Sequence, residues 1–178
     1  PLRDGTIEVT DVDPREVRYH VVAQWLVDRQ LGALGADARE HGRLLGLDLA
    51  IGTHPDGYDV WRHQSVFTVA ANAGAPPDAF FVGGQDWGFP PLDPHRSRAD
   101  GHRFFAALLR ASFASAGALR IDHAMGLSRL FWIPAGATAA DGAYVRYPLD
   151  ALLGVLSIES VRARCFVVGE DLGTVPEG

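Results

Sequence analysis

The sequence contains no lysine, a single cysteine and no apolar run long enough to cross a bilayer. One cysteine excludes an internal disulfide and any multi-cysteine zinc site. Cys165 opens an apolar, strand-like run and reads as core rather than as a reactive thiol. No run approaches the roughly 18 residues of a membrane-spanning helix, and the first residues carry no secretory pattern. Positive charge is also in deficit: 16 basic residues face 22 acidic ones, for a net charge of −6 and a pI near 5.6. That balance argues against nucleic acid and against an anionic membrane surface, since both demand clustered positive charge. A neutral or cationic ligand fits better. All the basic residues are arginine, beside abundant alanine and glycine, which reads as codon-usage bias and carries no mechanistic weight.

What is present is enough for a core. With 178 residues and 47% hydrophobic content, a compact chain would bury about 70% of its unfolded surface. Asp13-Pro14-Arg15-Glu16 supplies a cap, a first-turn proline and the acid of a capping box. Val21, Val22, Trp25, Leu26, Leu34 and Ala38 follow at near-helical spacing, so an amphipathic helix is expected over 14–41, with Trp25 on its packed face. The run Leu44-Leu-Gly-Leu-Asp48-Leu-Ala-Ile51 reads as a strand buried on both faces. Residues 52–98 are rich in Gly, Pro, Asp and aromatics without periodicity, and a loop of that length usually shapes a binding site. Helical spacing returns at 104–113, a strand runs to Asp122, a second irregular stretch follows, and 149–163 reads as a helix leading into a strand that ends at Glu170. The alternation of helix and strand indicates parallel βαβ units.

Two of these strands, Ala118-Leu-Arg-Ile-Asp122-His123 and Phe166-Val-Val-Gly-Glu170-Asp171, end in carboxylates with one helix between them. Parallel α/β barrels place catalytic side chains at the C-terminal ends of their strands. Neighbouring strands lie roughly 4.8 Å apart, near the ~5–5.5 Å carboxylate spacing of a retaining glycosidase. Arg120 shares a face with Asp122, which favours an ionised nucleophile. Val168 shares a face with Glu170, which predicts a raised pKa and a general acid. The alternative from pattern alone is structural: Asp122 paired to Arg120, and Glu170 capping a turn. A complete eight-fold barrel needs about 250 residues, so the expectation is α/β, part of a (β/α)8 TIM barrel with long βα-loop insertions. Residues 1–178 would form one partial catalytic barrel with no internal domain boundary.

The blocks Leu119-Arg-Ile-Asp-His-Ala-Met-Gly126, Trp132-Ile-Pro-Ala-Gly136, Tyr147-Pro148 and Val168-Gly-Glu-Asp-Leu-Gly-Thr-Val-Pro176 resemble the amylomaltases, the 4-α-glucanotransferases of the α-amylase clan. Gly74-Ala-Pro-Pro-Asp78 and Gly84-Gln-Asp-Trp-Gly88 do so too, and the likeness runs in order from Tyr19-His-Val-Val-Ala-Gln-Trp25 onward. The resemblance implies Asp122 as the nucleophile of a covalent glucosyl-enzyme intermediate and Glu170 as acid/base. It implies that Arg120, His123 and Asp48 contact the sugar at the scissile linkage. Asp78 would border the acceptor side of the cleft, and Gln85 and Trp87 would touch bound glucan. Ala79-Phe80-Phe81 stands where the family usually places tyrosine after Pro-Pro-Asp, so the resemblance does not carry over the family's acceptor-stacking contact. The family also uses a third carboxylate on a later strand, which nothing in these 178 residues supplies; the chain is therefore expected to be the middle portion of a longer enzyme. A maltooligosaccharide or starch-like glucan is the implied substrate, in starch, glycogen and maltodextrin metabolism, with no cofactor, a cytoplasmic setting and no nucleic-acid or membrane partner. The oligomeric state is not written in the sequence.

Other groups bear on rival readings. Trp61 and Trp132 read as core, and Trp87 as a ring for sugar stacking. His54, Asp56, Asp59 and His63 cluster like a metal site, but the spacing fits no zinc pattern and the acids suit loop turns; the resemblance places Asp56 behind the sugar site. The glycines at 83, 84 and 88 match neither a dinucleotide nor a P-loop fingerprint. An α-glucan hydrolase with the same pair, a non-catalytic glucan-binding fragment and a metal-dependent barrel hydrolase are the alternatives.

Overall fold

The computed structural model describes residues 11–172. The last part of the block ending at Pro176, residues 173–176, lies outside the described residues.

The chain opens with α1 (Pro14–Glu40), where the Asp13 side chain accepts the Arg15 N–H at 2.8 Å and Pro14 takes the first helical position. Short strand β1 (Gly46–Leu49) follows. The first long loop carries α2 (Tyr58–Arg62), β2 (Ala71–Ala75), β3 (Gln85–Asp86) and α3 (Pro94–Ala99). Then come α4 (Arg103–Phe113) and β4 (Ala118–Ile121); the second irregular stretch contributes β5 (Arg129–Pro134) and β6 (Ala143–Arg146); α5 (Leu149–Ala163) and β7 (Phe166–Gly169) complete the order.

Two sheets result. The first is parallel, in the order β1-β4-β7, with Asp48 opposite Arg120 and Ile121 opposite Gly169. Helices α4 and α5 make the crossovers and cover one face. Phe105, Leu109 and Phe113 from α4, Leu152 and Leu156 from α5, Leu119 and Ile121 from β4, and Cys165 just before β7 form the main core. Fully burying a side chain such as Leu109 or Leu119 contributes roughly 1.5–3 kcal/mol. The second sheet is antiparallel, in the order β3-β2-β5-β6, and joins the two long loops to each other. Phe131, Ile133 and Ala139 form its small core. Gly74 is required where β2 meets its neighbours, because a Cβ there would run into the Gln85 carbonyl and come within 2.7 Å of Ile133 Cδ1.

Four expectations need correction. The 44–51 strand is shorter and is not buried on both faces: Leu47 and Leu49 pack on the core while Gly46 and Asp48 are exposed. On the other face of the parallel sheet Asp48, Phe166 and Val168 are exposed and Ala118 and Arg120 half-buried. The 52–98 stretch is not irregular throughout, since it supplies β2 and β3, which pair with each other, and β2 pairs on its other side with β5. Trp25 is not packed. It is 57% exposed, with the Arg29 guanidinium 5.9 Å from its ring, and α1 buries only Gly35, against Ser115. Trp61 and Trp132 are half-buried rather than core; Trp61 tilts against Tyr58, and the Trp132 Nε1–H donates to the Tyr147 hydroxyl. Among the described residues no helix is long and apolar enough to cross a membrane.

Candidate active site

Strand register builds the site. Asp48 and Arg120 are direct partners across β1 and β4 and share a face. The ladder continues past the strand ends through Asp122 N–H to the Leu49 carbonyl (3.0 Å) and Glu170 N–H to the Ile121 carbonyl (2.9 Å). Asp122 therefore returns to the face of Arg120, two residues along. Glu170 stands beside it at the end of β7.

Arg120 holds the group together. Its Nη1 donates to both Asp48 oxygens, at 2.8 and 2.6 Å. Its Nη2 lies 3.0 Å from Asp122 Oδ1 and 2.8 Å from Glu170 Oε1. Those last two oxygens can be no farther apart than the two lengths together, which is less than the ~6.5–9.5 Å separation of an inverting pair. Glu170 Oε2 accepts the His123 backbone N–H at 2.8 Å. The His123 ring meets Trp87 edge-on at 5.3 Å, Trp87 stacks against Phe89, and the Trp87 Nε1–H donates to Gln85 Oε1 at 3.2 Å. Seven of the eight expected site residues, Asp48, Gln85, Trp87, Arg120, Asp122, His123 and Glu170, thus form one connected network. Asp78 stands apart. Its Oδ1 accepts the N–H groups of Phe80 and Phe81, at 2.7 and 2.6 Å, and so shapes the exposed turn between β2 and β3.

The charges follow from this geometry. Burial works against the Arg120 charge, but the bonds and charges of Asp48, Glu170 and Asp122 outweigh it and hold the guanidinium above its ordinary value. Burial lowers the His123 pKa, with Glu170 and Asp122 opposing, which favours the neutral ring. Glu170 reverses the expectation. The His123 N–H, with Asp122 and Arg120, holds its carboxyl below the usual range and overrides desolvation. The apolar neighbour Val168 does not decide the matter, because the groups that do lie across the sheet on β4 and in the turn after it.

Sequence reasoning missed the fastening of the two loops. The Tyr147 hydroxyl donates to the Leu92 carbonyl at 2.6 Å and accepts from Trp132, and burial raises its pKa strongly. The Tyr147-Pro148 block marked the position without its role. Asp122 and His123 line one part of a mainly apolar cavity of about 260 Å³, whose other walls include Ile121, Phe104, Leu108, Leu130 and Tyr147. The residues of the rejected metal cluster have separate partners: His54 Nδ1 accepts the Asp56 N–H, Asp59 accepts the Thr53 hydroxyl, and His63 packs against Phe104. The positive charge that the three clustered carboxylates require is supplied by Arg120.

A profile described as 4-alpha-glucanotransferase matches residues 6–178. The chain belongs to the 4-alpha-glucanotransferase family. It is 46% identical to the 4-alpha-glucanotransferase of Mycobacterium tuberculosis over 98% of its own length and 24% of the relative's. Among solved structures it is similar to the amylomaltase from Corynebacterium glutamicum, with a TM-score of 0.86 and 38% identity over 96% of this chain and 25% of that one. It is also similar to the amylomaltase from Streptococcus agalactiae in complex with acarbose, with a TM-score of 0.80 and 25% identity over 90% of this chain and 34% of that one. The chain spans about a quarter of the length of the first curated relatives it matches. Residues of the 4-alpha-glucanotransferase family thus continue well beyond a segment of this size, and the segment contains the Asp48–Arg120–Asp122–Glu170 network.

Proposed function

We propose that this chain carries the nucleophile and the acid/base of a retaining 4-α-glucanotransferase built on a (β/α)8 barrel, of which residues 1–178 form one part without an internal domain boundary. The observation that carries the reading is the sharing of Arg120 Nη2 by Asp122 and Glu170 at the ends of adjacent parallel strands, in a member of this family.

Asp122 attacks the anomeric carbon of an α-1,4-glucan. Glu170 protonates the glycosidic oxygen, the leaving sugar departs, and a glucosyl ester on Asp122 remains. Glu170 is then ionised and takes the proton of an acceptor hydroxyl, whose oxygen displaces Asp122 with overall retention. In the ligand-free state Glu170 is held ionised by His123 and Arg120. Its acid role therefore requires the bound glucan to exclude water and raise its proton affinity, as desolvation does for any carboxyl. Arg120 keeps Asp122 oriented and compensates its charge. Asp48, Arg120 and His123 contact the sugar at the scissile bond, while Trp87 and Gln85 line the path of the glucan. Asp78 shapes the loop carrying Phe80 and Phe81 on the acceptor side. Transfer outcompetes hydrolysis where the two loops exclude water.

Product analysis of the full-length protein on maltotriose tests this. A transferase yields glucose together with longer oligosaccharides and little gain in reducing ends. Shorter products alone identify a hydrolase with the same carboxylates, and binding without turnover identifies a glucan-binding protein.

A further inference from the structure

The chain turns sharply after Asp122. His123 adopts the left-handed conformation, at φ 47° and ψ 58°. Non-glycine residues visit that region rarely; Asn, Asp and His are favoured there and β-branched residues are outliers. The turn directs two successive N–H groups at the end of β7. The His123 N–H donates to Glu170 Oε2 at 2.8 Å, and the Ala124 N–H donates to the Glu170 backbone carbonyl at 3.2 Å. Gly169 leaves room for this approach, since a Cβ there would lie 2.8 Å from Ala124 Cβ.

We propose that the backbone amide of His123 is a positioning group for Glu170, fixing its carboxyl in the site, so that position 123 is restricted by its left-handed backbone independently of its imidazole. The proposal rests on the reading of Glu170 as acid/base. A fixed N–H donor favours the ionised carboxylate, and this bond is the largest influence holding Glu170 below its usual range. The other groups facing Glu170 are Arg120 from β4, Asp122 just after it and the His123 ring, with Asp48 acting through Arg120. The amide acts chiefly in the second half-reaction. There Asp122 is esterified and uncharged, and Glu170 must stand ionised to accept a proton; a donor already in place needs no reorganisation.

In the full-length enzyme, His123→Gly and His123→Asn remove the imidazole and keep the left-handed turn accessible, whereas His123→Val removes both. The kcat of His123→Val should fall about tenfold or more below those of the other two. The basic limb of its kcat/KM profile, set by Glu170, should move to higher pH, while His123→Gly and His123→Asn keep the wild-type limb. Circular dichroism and thermal melts establish folding, and His123→Ala replaces His123→Val where the latter does not fold. A kcat and a basic limb shared by all the variants would overturn the proposal. Glu170→Gln, assayed with an α-glucosyl fluoride donor, separates the two levels. First-turnover fluoride release kept on the fluoride donor, with turnover lost on maltotriose, supports the acid/base reading independently of the amide, while unimpaired steady turnover on both contradicts that reading.

Discussion

Arg120 stands among three carboxylates, and strand geometry explains each contact: Asp48 is its partner across the sheet, Asp122 is two residues along, and Glu170 closes the adjacent strand. Replacing it with leucine leaves like charges facing one another without compensation. Arg120→Leu is expected to lower kcat/KM by about 100-fold or more. Because Glu170 loses a cation that lowers its proton affinity, the basic limb of the pH–rate profile should move to higher pH. Steady-state kinetics across pH on the variant check both. The shared face of Arg120 and Asp122 was legible in the sequence, since alternation along a strand puts residues two apart on one face; the place of Asp48 opposite Arg120 is set by the register between β1 and β4. The protonation of Glu170 was not legible. Val168 predicted a raised pKa, but the deciding donor is the His123 backbone N–H in the turn after β4, which no side-chain pattern along β7 can report.

At the scale of elements, the antiparallel sheet positions Gln85, Trp87 and the Asp78 turn. Gly74→Ala drives a methyl into the Gln85 carbonyl and Ile133; because one obstacle is backbone, the sheet must shift, at a cost of about 1–3 kcal/mol. Denaturant melts measure the loss, and KM for glucan should rise with it. Tyr147→Phe removes the hydroxyl that joins Leu92 to Trp132, at about 1–3 kcal/mol for the buried groups left without it. The expected kinetic signature is a larger change in KM than in kcat, because the loops move while the strand-end carboxylates stay. Helix α5 was readable at 149–163 because local periodicity specifies it. The second sheet was not, because Ala71-Asn-Ala-Gly-Ala has no branched or aromatic residue to mark a strand and pairs with residues far along the chain. Arg129-Leu-Phe-Trp-Ile-Pro134 did carry strand chemistry, which could have suggested its part in that sheet.

Across the whole molecule, α4 and α5 are joined by charge as well as by core packing. Glu159, nearly buried, accepts two bonds from Arg110, at 2.9 and 2.6 Å, and one from Arg162 at 3.1 Å. The Arg110 hydrogen bonds, despite opposing desolvation, hold its carboxyl below the ordinary glutamate value. A depressed folded-state pKa gives stability that is present above the unfolded value and is lost as pH falls through the folded one. Thermal stability should therefore decline on acidification below the ordinary glutamate range, and Arg110→Ala should lower the melting temperature at neutral pH and flatten that decline. The exposed faces of α1 and of the parallel sheet explain why Trp25 was misjudged: periodicity identifies an apolar stripe, but not whether the same stretch of chain supplies its cover. The isolated 178-residue polypeptide is expected to bind a hydrophobic dye such as ANS and to show no transferase turnover, which a fluorescence titration and the maltotriose assay would check.

The central claim is that Asp122 is glycosylated during turnover, and trapping tests it directly. In Glu170→Gln of the full-length protein, an α-maltosyl fluoride donor can load the enzyme without acid assistance, and the missing base slows release of the intermediate. Acid quenching, proteolysis and mass spectrometry then locate the added sugar. The account predicts a maltosyl mass on the peptide containing Asp122, absent from the double variant with Asp122→Ala. A label on Asp48 or on another carboxylate, or fluoride turnover that survives Asp122→Ala unchanged, would contradict it.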